Sequence, residues 1–391
     1  MEPNPTEPAG VGTLALITAT VFGFATSVTM IGPLLLDLGR EFGVPVGAAG
    51  LLATAMSLPW ALGAPFAGHL SDKLGRRPLM VLALGGVGAL SLASAESPSF
   101  AVLLLTRFLA GCFGAFGPAA VMASVGDLFP SRRRAMAMGW LNMGFSMAAL
   151  VGVPLAGAID GWFGWRWSFR ASGLMLIVLA ALVQTTFPGP RPTAHGEGVI
   201  ATYRVVWGVP RLGNFLAANL VERICFFMTT LYLPAFLMLA YSLNAAEVAP
   251  ALSLVALGNV AGNVAGGWLG DRFSRPAIFV AAQLLAGGIA LALFWLHAGW
   301  IASAALGALF GLANASSRPG ILAFGADLVP AHRGAVLGLV GITNQGGVVL
   351  GSALGALVVG LGGYTALAVA IAAGGAVAAG LAVPLARTRC G

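Results

Sequence analysis

Two long apolar runs enclose a short cluster of charge and glycine, Gly68-His69-Leu70-Ser71-Asp72-Lys73-Leu74-Gly75-Arg76-Arg77. A similar cluster follows in the second half of the chain, Gly267-Trp268-Leu269-Gly270-Asp271-Arg272-Phe273-Ser274-Arg275. The two aspartates, Asp72 and Asp271, are 199 residues apart. Only 8% of the chain is charged, so two such clusters indicate one structural joint that is present twice.

The composition predicts an integral membrane protein. The chain has 391 residues, of which 58% are hydrophobic and 8% charged, and its mean hydropathy is +0.92. A soluble domain carries about 25% charged residues, so this chain cannot cover a water-facing surface. Its 56 glycines are typical of helices that approach closely in lipid, where small residues let backbones touch.

Apolar runs of about 20 residues or more, the length that spans a bilayer as a helix, occur twelve times. The predicted spans are 12–36, 46–70, 77–96, 99–125, 135–159, 167–187, 211–239, 247–270, 276–296, 300–326, 335–360 and 363–386. The connections between them are short, and the longest is only a linker. The sequence therefore predicts an all-α membrane protein with twelve transmembrane helices and no soluble domain.

The basic residues indicate the orientation of these spans. With both termini inside, 14 Lys and Arg residues fall in cytoplasmic connections or tails and three fall outside, which is the positive-inside pattern. This distribution explains the formal charge of +7 without a nucleic-acid partner. We expect a multi-pass protein of the cell inner (plasma) membrane, with both termini cytoplasmic and the lipid bilayer as its surroundings.

A second repeated motif supports an internal duplication. Asp127-Leu128-Phe129-Pro130-Ser131-Arg132-Arg133 recurs 200 residues later as Asp327-Leu328-Val329-Pro330-Ala331-His332-Arg333. Two independent motifs with nearly the same offset predict two pseudo-symmetric six-helix bundles. The predicted divisions are an N-terminal tail at 1–11, an N-terminal bundle at 12–187, a cytoplasmic linker at 188–210, a C-terminal bundle at 211–386 and a C-terminal tail at 387–391.

These motifs resemble those of the major facilitator superfamily. The pattern Gly68-x-Leu70-x-Asp72-Lys73-x-Gly75-Arg76-Arg77 is similar to the loop that marks this superfamily between its second and third spans. Arg107-x-x-x-Gly111 resembles its span-4 arginine motif. Gly144 with Gly152-Val153-Pro154-Leu155-Ala156-Gly157 resembles the span-5 motif of the twelve-span drug/sugar:proton antiporter branch, with Ala158 where a further glycine is usual.

The resemblance implies that the repeated charged joints form a cytoplasmic gate and that spans 1, 4, 7 and 10 line a central cavity. The predicted gate residues are Gly68, Asp72, Lys73, Gly75, Arg76, Arg77, Asp127, Asp271, Arg272 and Arg275. We expect Asp127 to pair with Arg76 or Arg77. Because exposed ion pairs contribute only about 0–1 kcal/mol each, such a gate opens readily. In the alternative interpretation, the basic residues only enforce topology.

Span 5 carries the predicted antiporter-like residues Gly144, Gly152, Pro154 and Gly157. Its small residues allow another helix to approach, and proline removes one backbone hydrogen bond and bends a helix. The second half of the chain has no matching proline. Ordinary glycine-mediated packing is the alternative interpretation of this motif.

Ionisable residues within spans are costly and usually mark a functional cavity. Well inside the predicted spans, away from their ends, lie Glu222, Arg223, Arg318 and Arg107, three arginines against one glutamate. We expect a Glu222–Arg318 pair with Glu222 as the proton site, and we expect Arg223 to face elsewhere, because adjacent helical residues diverge by about 100°. The alternatives are a permanent ion pair at Glu222 and a snorkelling side chain at Arg107. The resemblance gives Arg107 a role in proton transfer.

Other classes of chemistry have no signature in this sequence. The only lysine, Lys73, is not part of a nucleotide-binding loop, and the cysteines and histidines are too scattered for a metal site. We therefore expect no enzyme, no metal and no cofactor other than the proton gradient. The predicted function is secondary active transport by a monomer, most simply proton-coupled efflux of a small-molecule substrate. The alternatives are proton-coupled uptake or exchange of an organic anion and, more remotely, a non-transporting membrane sensor.

Overall fold

The computed structural model describes residues 11–129, 131–187, 208–329 and 333–386, and every regular element in these ranges is helical. The first half contains α1 (Val11–Thr29), α2 (Ile31–Phe42), α3 (Val46–Leu74), α4 (Arg76–Ala95), α5 (Phe100–Gly114), α6 (Gly117–Leu128), α7 (Ser131–Met147), a π-helical turn (Ala148–Gly152), α8 (Val153–Phe163) and α9 (Trp165–Thr186). The second half contains α10 (Leu212–Tyr241), α11 (Ala245–Arg272), α12 (Arg275–Trp295), α13 (Trp300–Ser316), α14 (Arg318–Leu328) and α15 (Arg333–Ala386).

Within the described residues, eleven helical segments are long and apolar enough to cross a membrane. The last of them lies in α15, whose backbone leaves the helical region at Gly362 and Gly363. Gly363 has φ 65°, a conformation that glycine adopts without the steric penalty of a Cβ. This break divides α15 into two spans at the position that the sequence predicted. The fold class, with twelve apolar helices, is confirmed.

Several spans consist of two helices that meet at a break. Span 1 combines α1 and α2, span 4 combines α5 and α6, and span 10 combines α13 and α14. Both α6 and α14 begin with a proline in their first turn, where its missing N–H group is not required. As a result, Arg318 is the first residue of α14 and lies at the break of its span.

The helices pack in equivalent pairs in the two halves of the chain. In the first half, α1 packs on α7 and α4 packs on α9, which pairs span 1 with span 5 and span 3 with span 6. In the second half, α10 and α12 both pack on α15. There Gly351 of span 11 lies against Ile224 of α10, and Gly375 of span 12 lies against Gln283 of α12. The second half therefore repeats both pairings of the first, as an internal duplication predicts.

The compact units of the structure do not follow chain order strictly. One unit comprises Met1–Ile31 and Ala55–Ala194, and the other comprises Gly32–Thr54 and His195–Gly391. Residues 32–54 form a helical hairpin from α2 and the start of α3, and this hairpin belongs to the second unit although the sequence assigned it to the N-terminal bundle. This division by contacts does not test the predicted boundaries of the two duplicated bundles, 12–187 and 211–386, and these boundaries remain a prediction.

Candidate functional site

A buried charge cluster lies in the second unit, where α10 meets α14. The Glu222 side chain is fully buried, and its Oε2 atom accepts a hydrogen bond from Nη1 of Arg318 over 3.3 Å. Nε of Arg223 also donates to this oxygen, over 2.5 Å, and Nη2 of Arg223 donates to Oε1. One carboxylate is therefore held by two guanidinium groups.

The expected Glu222–Arg318 pair is thus present, but the expectation that Arg223 faces elsewhere was wrong. The argument from the 100° between adjacent helical residues applies to Cβ directions. An arginine side chain has a long flexible stem, and that of Arg223 folds back so that its guanidinium reaches the carboxylate of the preceding residue. The same guanidinium lies 4.5 Å above the ring of Phe226, which fixes its orientation further.

Polar side chains from three helices complete the cluster. Arg223 Nη2 donates to Asn314 Oδ1 over 3.1 Å, and Arg318 Nη1 donates to Asn219 Oδ1 over 3.0 Å. The amide nitrogen of Asn219 in turn donates to the hydroxyl of Thr343 over 2.7 Å. Buried charges need such partners, because an unsatisfied polar group in a low-dielectric interior is costly. The network therefore allows three charges to remain inside the unit.

The three charged members of the cluster differ in accessibility. The side chain of Glu222 is 0% exposed, that of Arg223 is 10% exposed and that of Arg318 is 15% exposed. Arg318 also has the longer contact with Glu222, at 3.3 Å. The cluster carries one formal negative charge and two positive charges, so its net charge is +1. Arg318 is therefore the most exposed of the three and the arginine with the longer contact to the carboxylate.

Arg107 of α5 forms a second buried polar site, in the first unit. Its side chain is 0% exposed, so it does not snorkel toward a surface. Its Nε and Nη2 atoms donate to Ser94 Oγ over 3.1 and 3.0 Å, Nη2 also donates to Ser91 Oγ over 3.1 Å, and the guanidinium lies 4.8 Å from the ring of Phe169. Within the described part of the chain, none of these partners is a carboxylate. Arg107 is therefore a buried cation with neutral partners.

Another buried carboxylate was not anticipated by the sequence analysis. The predicted span 5 ended at residue 159, but α8 continues to Phe163 and includes Asp160, which is 4% exposed. The count of three intramembrane arginines against one glutamate was therefore incomplete. With Asp160 added, the set comprises three arginines and two carboxylates, namely Arg107, Arg223, Arg318, Asp160 and Glu222.

The charged joint of the first unit contains the expected ion pair. Gly75 has φ 91° and allows the tight turn between α3 and α4, which places Arg76 at the start of α4. Arg76 Nε donates to Asp127 Oδ2 over 2.8 Å, and its Nη1 donates to Ser71 Oγ over 2.8 Å. Arg77 donates to the backbone carbonyl of Gln184. Three predicted gate residues, Gly68, Asp72 and Lys73, lie on α3, but their side chains are outside the described part of the structure.

The second unit repeats this ion pair. Arg275 Nη1 donates to Asp327 Oδ2 over 2.9 Å, and these residues follow Arg76 and Asp127 by 199 and 200 positions. Asp271 and Arg272 are both exposed, and the guanidinium of Arg272 lies 3.9 Å from the ring of Trp268. Equivalent aspartate–arginine pairs therefore occur at equivalent joints, whereas their role as gates remains a prediction.

We predict that Asp127→Asn lowers transport severalfold while it changes the free energy of unfolding by less than about 1 kcal/mol, the usual scale of an exposed ion pair. The matched control is Asp37→Asn, which breaks the exposed Asp37–Arg40 pair outside both joints. Transport into inverted membrane vesicles and the melting temperature of the purified protein provide the two measurements. Equal losses of transport in both variants would remove the gate assignment.

Span 5 contains the π-helical turn Ala148–Gly152 directly before Pro154. The sequence predicted a bend from the proline, and the structure shows a local widening of the helix at that point; such turns occur often at functional sites. A Cβ atom added at Gly144 would lie 2.6 Å from the backbone oxygen of Thr18, and one at Gly152 would lie 2.2 Å from Oγ1 of Thr26. Gly157 is buried in α8. Spans 1 and 5 therefore approach each other closely at Gly144 and Gly152.

Gly144→Ala is expected to abolish most of the transport activity, because its methyl group would force α7 away from a backbone oxygen of α1. The matched control is Gly139→Ala on the same helix, where a Cβ would meet no atom within 4 Å; this change is expected to leave transport unaltered. Initial rates in vesicles, normalised to the amount of inserted protein, measure the difference. Unchanged rates in Gly144→Ala would show that the close contact is dispensable.

Sequence reasoning missed several polar residues of these two sites. Asn314, Ser91 and Ser94 each contact a buried guanidinium, but isolated asparagines and serines in spans are common and usually hydrogen-bond between helices. The one available signal was their spacing: Ser91 and Ser94 lie one turn apart on α4, the helix that precedes Arg107 in the chain. That spacing places both hydroxyls on one face of α4.

Comparisons with known proteins agree with this architecture. A model of the Major Facilitator Superfamily matches residues 17–253 and again residues 215–389. The chain is 27% identical over 274 residues to the chloramphenicol resistance protein of Streptomyces lividans, covering 70% of each. It is 29% identical to the transcription regulatory protein OpdE of Pseudomonas aeruginosa, over 99% of this chain and 96% of that protein.

A solved structure shares the fold. It is a bacterial homolog of the human lysosomal transporter Spinster in an inward-facing and occupied conformation, with a TM-score of 0.75 at 18% identity, covering 96% of this chain and 94% of that one. The structural match extends over both halves, as do the two ranges matched by the family model. The chain belongs to the Major Facilitator Superfamily.

Proposed function

We propose that this chain is a secondary active transporter that exports a small organic molecule in exchange for protons, by alternating access. The observation that carries the proposal is the fully buried Glu222, held by Arg223 and Arg318. Apart from Glu222 and Arg223, its helix, α10 (Leu212–Tyr241), has no Asp, Glu, Lys, Arg or His. A carboxylate at this depth is costly and is well suited to take up and release a proton. Transport, rather than catalysis, is the activity that this arrangement supports.

Protonation of Glu222 changes the state of Arg318. The ionised carboxylate accepts from Arg318 Nη1, whereas the neutral acid would hold this guanidinium much less strongly, because charge-assisted hydrogen bonds are roughly twice as strong as neutral ones. The net charge of the cluster changes from +1 to +2 at the same time. Proton occupancy therefore changes what the cluster can bind: the ionised carboxylate can accept hydrogen bonds from a substrate, whereas the protonated state frees Arg318 for an anion. A difference in binding between the two protonation states is what coupling requires.

Export is supported by two further observations. The glycines of span 5 and the π-helical turn before Pro154 form the element that resembles the antiporter branch. In addition, one relative is named for chloramphenicol resistance, a property that export from the cell would provide. In the export cycle, the ionised form of Glu222 carries substrate outward and the protonated form returns.

The positive charge of the cluster favours a second candidate, uptake or exchange of an organic anion. If a carboxylate of the substrate replaces Glu222 as the partner of Arg318, the proton on Glu222 and the anion cross together. Arginine suits this role because its planar fork binds carboxylates through two hydrogen bonds. The two candidates require opposite directions of proton movement relative to the substrate, which separates them experimentally.

A third candidate is a non-transporting sensor, and the name of one full-length relative, a transcription regulatory protein, favours it. A sensor would bind a ligand at the same cluster but would not move it across the membrane. Binding without transport in reconstituted vesicles would support this candidate over the other two.

We propose that the protein resides in the inner membrane as a monomer with both termini cytoplasmic. The excess of Lys and Arg in one set of connections supports this orientation. Reporter fusions at the C-terminus test it, since an alkaline phosphatase fusion would be inactive and a cytoplasmic fluorescent reporter would be active. The reverse result would place both charged joints on the outer face.

The substrate can be found with a thermal-shift screen of the purified protein against drugs, sugars and organic acids at two pH values. Candidate ligands are then tested by overexpression in cells. Export predicts that overexpressing cells accumulate less of the compound than control cells do. A protonophore is expected to raise their accumulation to the level of the control cells. Higher accumulation, or growth that depends on an organic acid, would instead support anion uptake.

A further inference from the structure

The hairpin of residues 32–54 contacts α10 and α15 of the second unit through very small residues. A Cβ added at Gly47 would lie 2.5 Å from the backbone oxygen of Ala356, and one at Gly32 would lie 3.2 Å from the backbone oxygen of Leu231. Backbone therefore meets backbone along this contact. Such close packing stabilises helix pairs in lipid mainly through van der Waals contact.

Tyr232 of α10 lies at the centre of this contact. It is 0% exposed, and its ring and hydroxyl fill the space that a side chain at Gly50 or Gly355 would need, since an added Cβ would lie 1.9 Å from Oη and 2.4 Å from Cε2, respectively. Its hydroxyl donates toward the backbone oxygens of Ser352, at 3.0 Å, and Gly47, at 3.4 Å. One aromatic side chain thus joins the hairpin to both α10 and α15.

A second polar contact lies beside this tyrosine. Thr54 Oγ1 and Ser352 Oγ are 2.6 Å apart and share a hydrogen bond. The polar groups of this contact are therefore hydroxyl groups and backbone oxygens. Water can satisfy these groups when the helices separate, so the contact is suited to opening and closing.

The contact also lies at a defined end of the second unit. Tyr232 is in the last third of α10, near the turn that leads into α11, and α11 then runs the full length of its 28 residues before it reaches the joint of Arg275 and Asp327. A helix of this length spans about 40 Å. Tyr232 and the Arg275–Asp327 pair are thus near opposite ends of the spans.

We infer that Tyr232, seated between Gly50 and Gly355, is the latch of a second gate, at the opposite end of the spans from the charged joints. When the hairpin leaves α10 and α15, this end opens; when Tyr232 returns to its glycine pocket, this end closes. The inference rests on the proposed alternating-access transport. It assigns the closing contact on the outer side to one tyrosine and two glycines, and the neighbouring Thr54–Ser352 pair serves as the reporter of that contact.

The first test measures opening without any substrate. Ser352→Cys, which is 1% exposed as serine, is introduced into a chain whose native cysteines are replaced, and a membrane-impermeant maleimide is added to whole cells. Tyr232→Phe is expected to raise the labelling rate roughly fivefold, the shift expected for a lost hydrogen bond of ordinary strength. Gly50→Ala is expected to raise it further, because its methyl group overlaps the tyrosine hydroxyl.

The matched control is Gly360→Ala on the same long helix, where an added Cβ meets no atom within 4 Å. This variant is expected to label at the rate of the Ser352→Cys parent. Equal labelling of the Gly50→Ala, Tyr232→Phe and Gly360→Ala variants would overturn the latch. Since labelling needs no transported molecule, a failure of the proposed function would leave this result interpretable.

The second test locks the gate. Thr54→Cys combined with Ser352→Cys places two sulfur atoms where the hydroxyl oxygens are now 2.6 Å apart, and oxidation is expected to join them and stop transport of the ligand found by the thermal-shift screen. Dithiothreitol is expected to restore transport, and each single cysteine variant is expected to transport in the presence of oxidant. A cross-linked protein that transports at the parent rate would contradict the inference.

Discussion

Glu222→Gln is expected to abolish proton-driven transport while substrate exchange without a pH gradient continues. Glutamine cannot release a proton, so the coupled step is lost, but its amide oxygen still accepts from Arg318. The variant also leaves two guanidinium groups without a counter-charge, and removing one partner of a buried pair costs about 3–5 kcal/mol in soluble proteins. We therefore expect a lower melting temperature together with loss of coupling.

The loss of proton coupling and the loss of stability can be separated by comparing gradient-driven uptake with counterflow in the same vesicles. A permanent structural ion pair would predict that both kinds of transport fall together, in proportion to the loss of folded protein. The matched control is Glu96→Gln, which changes an exposed carboxylate that pairs with Arg170 and should leave both activities and stability nearly unchanged. Wild-type coupling in Glu222→Gln would remove this residue as the proton site.

Arg107→Met is expected to raise stability and to abolish transport. The buried guanidinium of Arg107 has hydroxyl groups and an aromatic ring as partners, so its charge is poorly compensated in the fully buried site. Replacing buried charged groups by apolar side chains of similar volume is often stabilising, by about 1–4 kcal/mol. We expect transport to be lost because the resemblance of Arg107-x-x-x-Gly111 to the span-4 arginine motif implies a role in proton transfer.

Arg107→Lys should retain the charge but lose activity as well, because an ammonium group cannot hydrogen-bond to Ser91 and Ser94 and stack on Phe169 at once. Melting temperature and initial transport rate are measured for both variants, with Arg170→Met as an exposed control. A methionine variant that is less stable and still transports would mean that Arg107 has a structural role.

The sequence predicted the architecture because membrane spans are specified by local composition. Twelve apolar runs, the charged joints and the offset of about two hundred residues between repeats are all properties of consecutive residues. The Arg76–Asp127 pair was also predictable, since the motif and topology bring both residues to one membrane surface. Its counterpart, Arg275–Asp327, follows from the duplication.

Other features depend on side-chain geometry and helix packing, which the sequence does not specify locally. Arg223 was expected to face away from Glu222 because the argument used backbone directions and neglected the reach of the side chain. Asp160 was placed outside its span because the apolar run ends before α8 does. The glycine pocket of Tyr232 is formed by Gly50 and Gly355, which are far apart in the chain, so no local pattern could reveal it.

The most direct test of proton-driven export is ligand uptake into proteoliposomes under imposed pH gradients. The account predicts that an acidic interior drives uptake of the ligand found by the thermal-shift screen, as protons leave in exchange, and that Glu222→Gln abolishes this response. Uptake driven by an acidic exterior would instead show that proton and substrate move together. Uptake that is independent of the gradient in the wild-type protein would contradict proton coupling altogether.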